Sequence, residues 1–283
     1  MKIKLLILGL SLLFLVGLFV YEKSVYFDGK LHVVFCDVGQ GDAIFIRTPS
    51  GADILVDSGP DDKILKCLSR HMPFWDHDLE LLFATHPDAD HIGGFESVLK
   101  SFTVKSFNTS KKSKNTAVFS RIQKLVDEKK IPFRYLFAGD IYSTSDGVKI
   151  RIDWPTQEYV GSDQNGKLDA NSFSLVELIT YGKFKTLLTG DIESGILNKI
   201  YASGLSIDVF KLPHHGSKTG VDDTTFQLIK PGLSIISAGK NNRYHHPSSE
   251  TISLLKKYNL EYKNTIDMGD IEVISDGQSS KSN

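Results

Sequence analysis

Residues 85–94 concentrate metal-binding side-chain types within a few positions. This segment reads Thr-His-Pro-Asp-Ala-Asp-His-Ile-Gly-Gly and contains His86, Asp88, Asp90 and His91. Carboxylates crowded into one turn repel each other without a cation, whereas imidazoles and carboxylates together form a mixed nitrogen and oxygen ligand set. The spacing therefore predicts a divalent metal site, and a solvated loop with helix-capping residues is the alternative.

Other polar residues come directly after apolar runs elsewhere in the chain. Asp57 and Asp191 each follow such a run, and His215 lies in the segment Pro-His-His-Gly-Ser that follows a third. Polar residues at strand ends of an α/β sheet gather at one edge, so we expect these three to converge on the metal loop. Each one alone is also compatible with a helix cap or a surface turn.

The elements that must position these residues form a pattern of alternating strands and helices over residues 30–276. This pattern predicts one α/β domain, followed by a polar tail at 277–283 that we expect to fray. The expected strands are 31–36, 43–47, 54–57, 79–85, 149–153, 173–180, 186–189, 208–212, 233–237 and 271–275. The expected helices lie near 61–71, 94–101, 118–129, 192–203, 222–230 and 248–257.

The amino terminus has the composition of a membrane segment. Lys2 and Lys4 precede an uncharged run from Leu5 to Tyr21, which as a helix spans about 26 Å, close to a bilayer core. We expect residues 1–23 to be an uncleaved transmembrane anchor, with a cleaved signal segment as the alternative. The positive-inside rule then places the rest of the chain outside the cytoplasm, bound to the cell membrane or secreted if cleavage occurs.

The charge and the cysteine content further restrict which binding functions and which cysteine states we expect. The net charge of -1 excludes a globally basic nucleic-acid binder. Residues 100–134 nevertheless carry ten basic and two acidic side chains, so they form either a cationic rim for a polyanion or a solvated helix face and loop. We expect Cys36 and Cys67 to be core thiols rather than disulfide partners, because sequence cannot supply the required geometry.

In combination, five motifs resemble the metallo-β-lactamase superfamily, and within it the hydrolase-like domain of ComEC-type DNA-uptake proteins. They are Asp-Val-Gly-Gln-Gly-Asp-Ala (37–43), the His-Asp segment (86–94), Leu-Leu-Thr-Gly-Asp-Ile-Glu (187–193), Leu-Pro-His-His-Gly-Ser-Lys (212–218) and Asn-Arg-Tyr (242–244) followed by His-Pro. The resemblance spans about residues 31–275. It implies an αββα four-layer sandwich preceded by one hydrophobic helix.

The resemblance also implies a centre with two divalent metal ions, manganese or zinc. The implied ligands are, in chain order, His86, Asp88, Asp90, His91, Asp191 and His215. The first two serve one ion, the next two and His215 serve the second, and Asp191 bridges them. Asp88 stands where many relatives have His, and Asn171 and Ser174 lie where a further His is common. We therefore predict that the first site binds more weakly and favours manganese.

Further roles follow for residues around such a centre. Asp90 is a candidate proton acceptor and His246 a candidate proton donor, although His246 is also compatible with a simple turn before Pro247. The candidates for supporting the ligands or contacting substrate are Asp57, Gln40, Asp42, Asn171, Ser217, Asn242 and Arg243.

These observations lead to a functional hypothesis with two alternatives. The first is a membrane-anchored, extracytoplasmic hydrolase that uses a metal-activated water on a phosphodiester such as DNA or a nucleotide. The second is a catalytically impaired module that binds DNA or another polyanion. The third, a β-lactamase in the antibiotic sense, is disfavoured by the carboxylate at position 88. No protein partner is predicted.

Overall fold

The computed structural model describes residues 2–111 and 116–283. Its strands are β1 Leu31–Phe35, β2 Ile44–Arg47, β3 Asp53–Val56, β4 Asp78–Leu79, β5 Leu81–Ala84, β6 Thr103–Val104, β7 Phe107–Thr109, β8 Phe133–Tyr135, β9 Ile141–Ser143, β10 Lys149–Trp154, β11 Val176–Tyr181, β12 Phe184–Leu188, β13 Leu205–Lys211, β14 Ile229–Ile236, β15 Glu261–Asn264, β16 Ile271–Ser275 and β17 Ser280–Ser282. Its helices are α1 Lys2–Tyr26, α2 Lys63–His71, α3 Ala89–Ile92, α4 Phe95–Ser101, α5 Ala117–Glu128, α6 Gln157–Ser162, α7 Ser194–Ile200, α8 Asp223–Leu228, α9 Ser249–Lys257 and α10 Thr265–Met268.

Two large sheets form the centre of the molecule. The first has eight strands in the order β17-β16-β1-β2-β3-β5-β7-β8, and the second has seven in the order β15-β14-β13-β12-β11-β10-β9. The chain opens as an antiparallel meander through β1, β2 and β3, then adds β5, β7 and β8 in parallel through helical crossovers. The second sheet likewise begins antiparallel and continues in parallel from β12 onwards.

Strand alternation divides the apolar side chains among three buried layers. In β1, Val33 and Phe35 belong to the layer between the two sheets, whereas Val34 belongs to the layer between the first sheet and helices α2, α4 and α5. A third layer packs the outer face of the second sheet against helices that include α7, α8 and α9. These layers confirm the expected α/β fold, a four-layer αββα sandwich.

The polar tail departs from the sequence-based expectation. Residues 280–282 form β17, which pairs antiparallel with β16 so that Ser282 lies opposite Val273. The prediction that the tail frays was wrong, because the first sheet offers an open edge whose backbone groups a polar strand can pair with as well as an apolar one.

The two cysteines also differ from the sequence-based expectation. Cys36 and Cys67 form a disulfide with a Cα–Cα distance of 5.9 Å, instead of remaining free core thiols. Cys36 directly follows β1, and Cys67 lies on the buried face of α2, which packs against the same sheet. The packing of α2 on the sheet brings the two sulfurs together, a long-range contact that sequence patterning does not reveal.

Helix α1 differs from every other element. It has 25 residues with a mean hydropathy of 2.7 in its most apolar window, and that window is entirely exposed. In a soluble domain an apolar helix of this length would be buried. By length and composition it can cross a membrane.

Candidate metal centre

The predicted metal loop connects β5 to α3. Thr85, His86, Pro87 and Asp88 follow the end of β5, and Asp90 and His91 lie within the short helix α3. The Asp-Val-Gly-Gln-Gly-Asp segment packs directly on this loop: the backbone N–H of Asp42 donates to the carbonyl of Asp90 at 3.3 Å. A Cβ atom at Gly41 would collide with that same carbonyl, so glycine is required there.

Three imidazoles converge on the carboxylate of Asp191. Nε2 of His91 lies 3.1 Å from Asp191 Oδ1, while Nε2 of His215 and of His86 lie 3.5 Å and 4.0 Å from Asp191 Oδ2. All three rings are buried, and Asp191 is 3% exposed. The structure thus brings four of the six predicted ligands together around one central carboxylate.

The remaining two predicted ligands border this group on its open side. Asp90 Oδ2 lies 3.5 Å from His215 Nε2, and Asp88 Oδ2 lies 3.7 Å from His86 Nε2. The Asp88 side chain is 42% exposed, in contrast to the buried histidines. The six side chains, His86, Asp88, Asp90, His91, Asp191 and His215, are called the metal centre below.

Buried carboxylates orient two of the imidazoles from behind. Asp57 accepts a hydrogen bond from His91 Nδ1 at 2.7 Å, and Asp42 accepts one from His215 Nδ1 at 3.1 Å. Asp42 in turn forms a buried ion pair with Lys211, with Nζ 2.7 Å from Oδ2. A proton held on Nδ1 leaves the Nε2 lone pair free to face the centre, which is how histidine ligands are usually oriented.

Hydroxyl groups orient the third imidazole. The Thr85 hydroxyl donates to Asp57 at 2.7 Å, so its oxygen is left to accept from His86 Nδ1 at 3.0 Å. Ser174 Oγ lies 3.2 Å from the same nitrogen and accepts from the backbone N–H of Asp191 at 3.1 Å. His86 is therefore oriented by neutral groups, whereas His91 and His215 are oriented by carboxylates.

The chemistry of these donors fits a bound cation. Nε2 of His86, His91 and His215 and Oδ1 of Asp191 are buried without a hydrogen-bond partner among the described residues. Lone pairs on imidazole and carboxylate repel one another at these distances unless a proton or a metal ion lies between them. Nitrogen and oxygen donors in this arrangement suit zinc, manganese or iron.

The carboxylates of the centre also favour positive charge on two of the three imidazoles. Burial lowers the pKa of His215, but the carboxylates of Asp191 and Asp42 outweigh it and raise that pKa to about 9. Burial likewise opposes protonation of His91, yet Asp191 and Asp57 hold its pKa well above the usual value. His86 differs, because burial and the neighbouring His91 charge lower its pKa to about 3.

Three residues in or beside the centre have unfavourable backbone conformations. Asp57, His214 and His215 adopt positive φ angles of 57°, 52° and 55°. These conformations are unfavourable for residues with a Cβ atom, and they persist where the surrounding structure imposes them, frequently at functional sites. His214 Nε2 lies 3.7 Å from Asp191 Oδ2, so this histidine also borders the centre.

His246 lies at the edge of the centre. Its ring centroid is 5.5 Å from that of His214 and 6.3 Å from that of His215. Burial and these two neighbouring imidazoles lower the pKa of His246 to about 4. Its position is compatible with the predicted contact to substrate, which stays a prediction.

Asn242 builds the loop that carries Arg243 and His246. Its side-chain amide donates to the carbonyls of Gly239 and His246, and its oxygen accepts from the backbone N–H groups of Tyr244 and His246. Because both donors and the acceptor are used inside the loop, Asn242 is placed to shape the loop.

The other predicted contact residues occupy varied positions. Gln40 accepts from the Gly239 N–H at 3.1 Å, and its Nε2 has no partner among the described residues. Ser217 Oγ lies within its own turn, 3.3 Å from the Thr219 hydroxyl. Asn171 lies in a short 3₁₀ helix, and it is Ser174, just beyond that helix, that reaches His86.

A groove of about 440 Å³ opens from the metal centre. It is lined by Gln40, Pro60, Ala89, Asp90, Asn242, Arg243 and Tyr244. The Tyr244 ring is 49% exposed, and the Arg243 guanidinium lies 4.7 Å from its centroid. The groove thus joins a carboxylate of the centre to a cationic and aromatic wall.

A family model described as the metallo-beta-lactamase superfamily matches residues 36–240. The chain belongs to the metallo-β-lactamase superfamily. The expected fold family is thereby confirmed. Three residues of the centre, His91, Asp191 and His215, form with Asp42 a His/Asp cluster whose ligand atoms lie within 4.8 Å of one another and could hold a metal ion. Members of this superfamily are generally hydrolases.

Three curated proteins are similar to this chain over most of its length. The chain is 28% identical to ComE operon protein 3 of Bacillus subtilis over 90% of its own length, and 29% identical to Recombination protein 2 of Haemophilus influenzae over 84%. It is also similar to Competence protein ComA of Neisseria gonorrhoeae, at 23% identity over 90% of its length. The chain spans only 28–34% of the length of these relatives.

Solved structures share the fold at low sequence identity. CmlA, a diiron β-hydroxylase of Streptomyces venezuelae, superimposes with a TM-score of 0.55 at 12% identity, covering 85% of this chain and 53% of CmlA. A protein of Parabacteroides distasonis described as a metal-dependent hydrolase gives a TM-score of 0.50 at 14% identity, covering 84% of this chain and 94% of that one.

Sequence reasoning missed several residues that touch the centre. Lys211, Thr85 and Ser174 support the ligands, and His214 borders Asp191. The sequence signal for His214 was its position next to His215 in the Pro-His-His-Gly motif. Only His215 of this pair was predicted as a metal ligand. Lys211 gave no signal, because a lysine near a strand end is ordinarily taken as exposed.

Proposed function

We propose that the protein is a metal-dependent phosphodiesterase that acts on DNA or nucleotides. The observation that carries the proposal is the convergence of three buried, unpartnered Nε2 atoms on Asp191, each with its Nδ1 held by a hydrogen bond. A module that only binds a polyanion does not need this ligand geometry. Two divalent metal ions held there would activate water and neutralise charge on a phosphodiester.

Other residues of the chain would accept protons, contact the substrate and support the ligands. Asp90 lies on the open side of the centre and faces the groove, so it is placed to accept a proton. Arg243 lies on the opposite wall, where a phosphate needs a cation. His246 lies behind that wall, with its ring centroid 5.7 Å from that of Tyr244, and its lowered pKa makes it a neutral hydrogen-bonding group near pH 7. Lys211 neutralises buried Asp42 and thereby stabilises the carboxylate that orients His215.

Two features support a polyanionic substrate. The first is the wall of Arg243 and Tyr244, since base stacking on aromatic rings and cationic contacts are typical of single-stranded nucleic-acid binding. The second is the basic segment 100–134, whose loop is hydrogen-bonded to the metal loop by Ser110 and Thr116. Lys112 and Lys114 of this segment lie outside the described residues. The names of two relatives, Recombination protein 2 and Competence protein ComA, point in the same direction.

The proposal includes a location outside the cytoplasm. Helix α1 is long and apolar enough to anchor the chain in a membrane, and Lys2 and Lys4 at its start favour an amino terminus on the cytoplasmic side. The Cys36–Cys67 disulfide supports the same location, because disulfides persist in oxidising compartments.

The test uses the full chain in detergent, stripped of metal and then supplied with manganese, magnesium or zinc. The substrates are bis(p-nitrophenyl) phosphate and linear single- and double-stranded DNA. We expect metal-dependent cleavage that the double variant His86→Ala, Asp90→Ala abolishes. The matched control is His77→Ala, since His77 packs against Phe102 away from the centre.

One outcome would contradict the proposal, and a second would narrow its substrate. Failure of every metal to support cleavage, with salt-sensitive DNA binding retained, would favour a catalytically impaired binding module. Cleavage of the small ester without any cleavage of DNA would leave a phosphodiesterase whose substrate is a smaller phosphoester.

A further inference from the structure

The loop between α2 and β4, residues 72–77, presents two large apolar side chains to solvent. Phe74 is 71% exposed and Trp75 is 48% exposed, and their rings meet edge to face with centroids 4.9 Å apart. Among the described residues outside α1, Phe74 is the most exposed large hydrophobic side chain. An adjacent aromatic pair held out of the core marks an interaction surface.

This loop lies beside the carboxyl-terminal end of α1. Trp75 shares a cavity of about 230 Å³ with Phe19, Glu22, Lys23 and Phe27. Phe19 belongs to the uncharged run that ends at Tyr21, and Lys23 follows that run directly. Trp75 is therefore level with the point where α1 changes from apolar to charged.

A buried arginine fixes the position of the loop relative to α1. Arg47 is 2% exposed; its guanidinium donates to Asp76 at 3.0 Å and lies 3.5 Å from Asp53 at the start of β3. The same guanidinium lies 4.9 Å from the Phe27 ring centroid and 5.9 Å from that of Tyr26. One cation thus joins the end of α1, the exposed loop and the first sheet.

We propose that Phe74 and Trp75 of this loop insert into the interfacial region of the bilayer leaflet from which α1 emerges. The lipid interface is the occupant because the aromatic pair continues the surface of α1, whose apolar window is exposed on all sides. Tryptophan is favoured where hydrocarbon gives way to headgroups, and Lys23 lines the same cavity as Trp75, where it can meet a lipid phosphate.

This inference rests on the proposed membrane anchoring and adds a second contact to it. A single helix followed by a flexible linker would let the domain tumble above the membrane. The Arg47 contacts and the inserted loop together give the domain a defined orientation on the bilayer instead.

The experiment measures the depth of Trp75 in a membrane. The chain contains two tryptophans, so the full-length Trp154→Phe variant reports on Trp75 alone. The chain is reconstituted into vesicles of phosphatidylcholine and phosphatidylglycerol, with or without acyl chains brominated near the headgroup. We expect the brominated lipid to lower Trp75 emission by about twofold or more, because interfacial tryptophan lies within reach of such bromines.

The matched control is Trp75→Phe, which leaves Trp154. That side chain lies at the end of β10 in the second sheet, packs against Tyr159 and donates to the Ser172 carbonyl, so brominated lipid should not change its emission. Adding Phe74→Ser to the Trp154→Phe variant should reduce the quenching of Trp75, since half of the inserted pair is then polar.

Flotation of the vesicles distinguishes failure of the membrane anchor from failure of the loop insertion. A chain that does not float with the vesicles would overturn the anchor itself. A chain that floats while Trp75 is quenched by aqueous iodide and not by bromine would overturn only the inserted loop. Protection of Trp75 from both quenchers would also overturn it, because the pair would then be covered by protein.

Discussion

Two clusters of histidines and carboxylates lie in the same molecule, and only one has the properties of a metal site. The first is the metal centre. The second lies between the end of α1 and the first sheet and is called the junction cluster; its members are Asp28, His32, His71, Asp270 and Glu272. In the junction cluster, His32 Nδ1 lies 2.7 Å from Glu272 and Nε2 lies 3.0 Å from Asp28, so both ring nitrogens are paired within the protein.

In the metal centre, each histidine is paired on one nitrogen only. Nδ1 is held from behind and Nε2 faces its neighbours without a hydrogen-bond partner among the described residues. Local density of histidine and aspartate therefore does not distinguish a ligand set from an ion-pair network. The distinguishing property is which ring nitrogen the protein leaves unpaired.

Two members of the junction cluster, His71 and Asp270, also form a group of metal-binding residue types with Cys67, and the ligand atoms of these three residues lie within 4.8 Å of one another. The sulfur of Cys67 is engaged in the disulfide, so no thiolate is available. Asp270 is paired with Arg70 and His71. The ligand atoms of this group are already engaged by the disulfide and by ion pairs, like those of the rest of the junction cluster.

The largest expected effect separates the two clusters by activity. Asp191→Asn keeps the shape of the side chain and removes the charge that three imidazoles share. We expect metal-dependent cleavage of bis(p-nitrophenyl) phosphate to fall to the uncatalysed background, because the ligand predicted to bridge the two metal ions is lost. The corresponding change in the junction cluster, Asp28→Asn, should leave turnover unchanged. Equal losses in both variants would contradict the distinction.

A smaller effect is expected behind the ligands. Asp57→Asn and Asp42→Asn remove the carboxylates that hold His91 and His215, and loss of such supports typically reduces metal affinity or activity by about 10- to 100-fold. Ser174→Ala should cost less, since Thr85 still holds the His86 ring. Metal titration monitored by activity would test this order. A Ser174→Ala loss as large as the aspartate losses would mean that His86 is the more sensitive ligand.

Metal binding should stabilise the fold through the metal centre alone. A metal ion at about 100 times its Kd stabilises the native state by about 2.7 kcal/mol, seen as a higher unfolding temperature in detergent. We expect this shift with manganese or zinc in the native chain and in His71→Ala. It should be lost in the double variant His91→Ala, His215→Ala. A shift that survives in the double variant would place the bound ion elsewhere.

The sequence alone predicts the strands and helices that carry both clusters. It does not predict which histidine nitrogens the folded protein leaves unpaired. The loop carrying His86 and His91 is local in sequence, so its spacing predicts a metal site directly. The pairing of His32 with Glu272 joins residues 240 positions apart, and the Cys36–Cys67 disulfide depends on how α2 packs on the sheet. The support of Asp42 by Lys211 requires the two sheets to face each other. Such contacts are set by tertiary packing, which periodicity does not encode.

The smallest expected effect concerns the pH dependence of the junction cluster. Burial lowers the pKa of His32, but its hydrogen bonds to Glu272 and Asp28 outweigh that effect and raise the pKa above the usual value. A raised folded-state pKa means that protonated His32 stabilises the fold below the unfolded pKa of about 6.5, and that this contribution is lost as pH rises through the raised value.

His32→Gln should therefore lower the free energy of unfolding by up to about 1 kcal/mol near pH 6 and by less near pH 9, as expected for a partly exposed ion pair. Thermal unfolding in detergent at the two pH values measures the difference, and turnover at neutral pH should be unchanged because His32 lies outside the metal centre. A deficit that grows with pH would mean that His32 is neutral in the folded protein, and the junction cluster would then have an unpaired ring nitrogen like those of the metal centre.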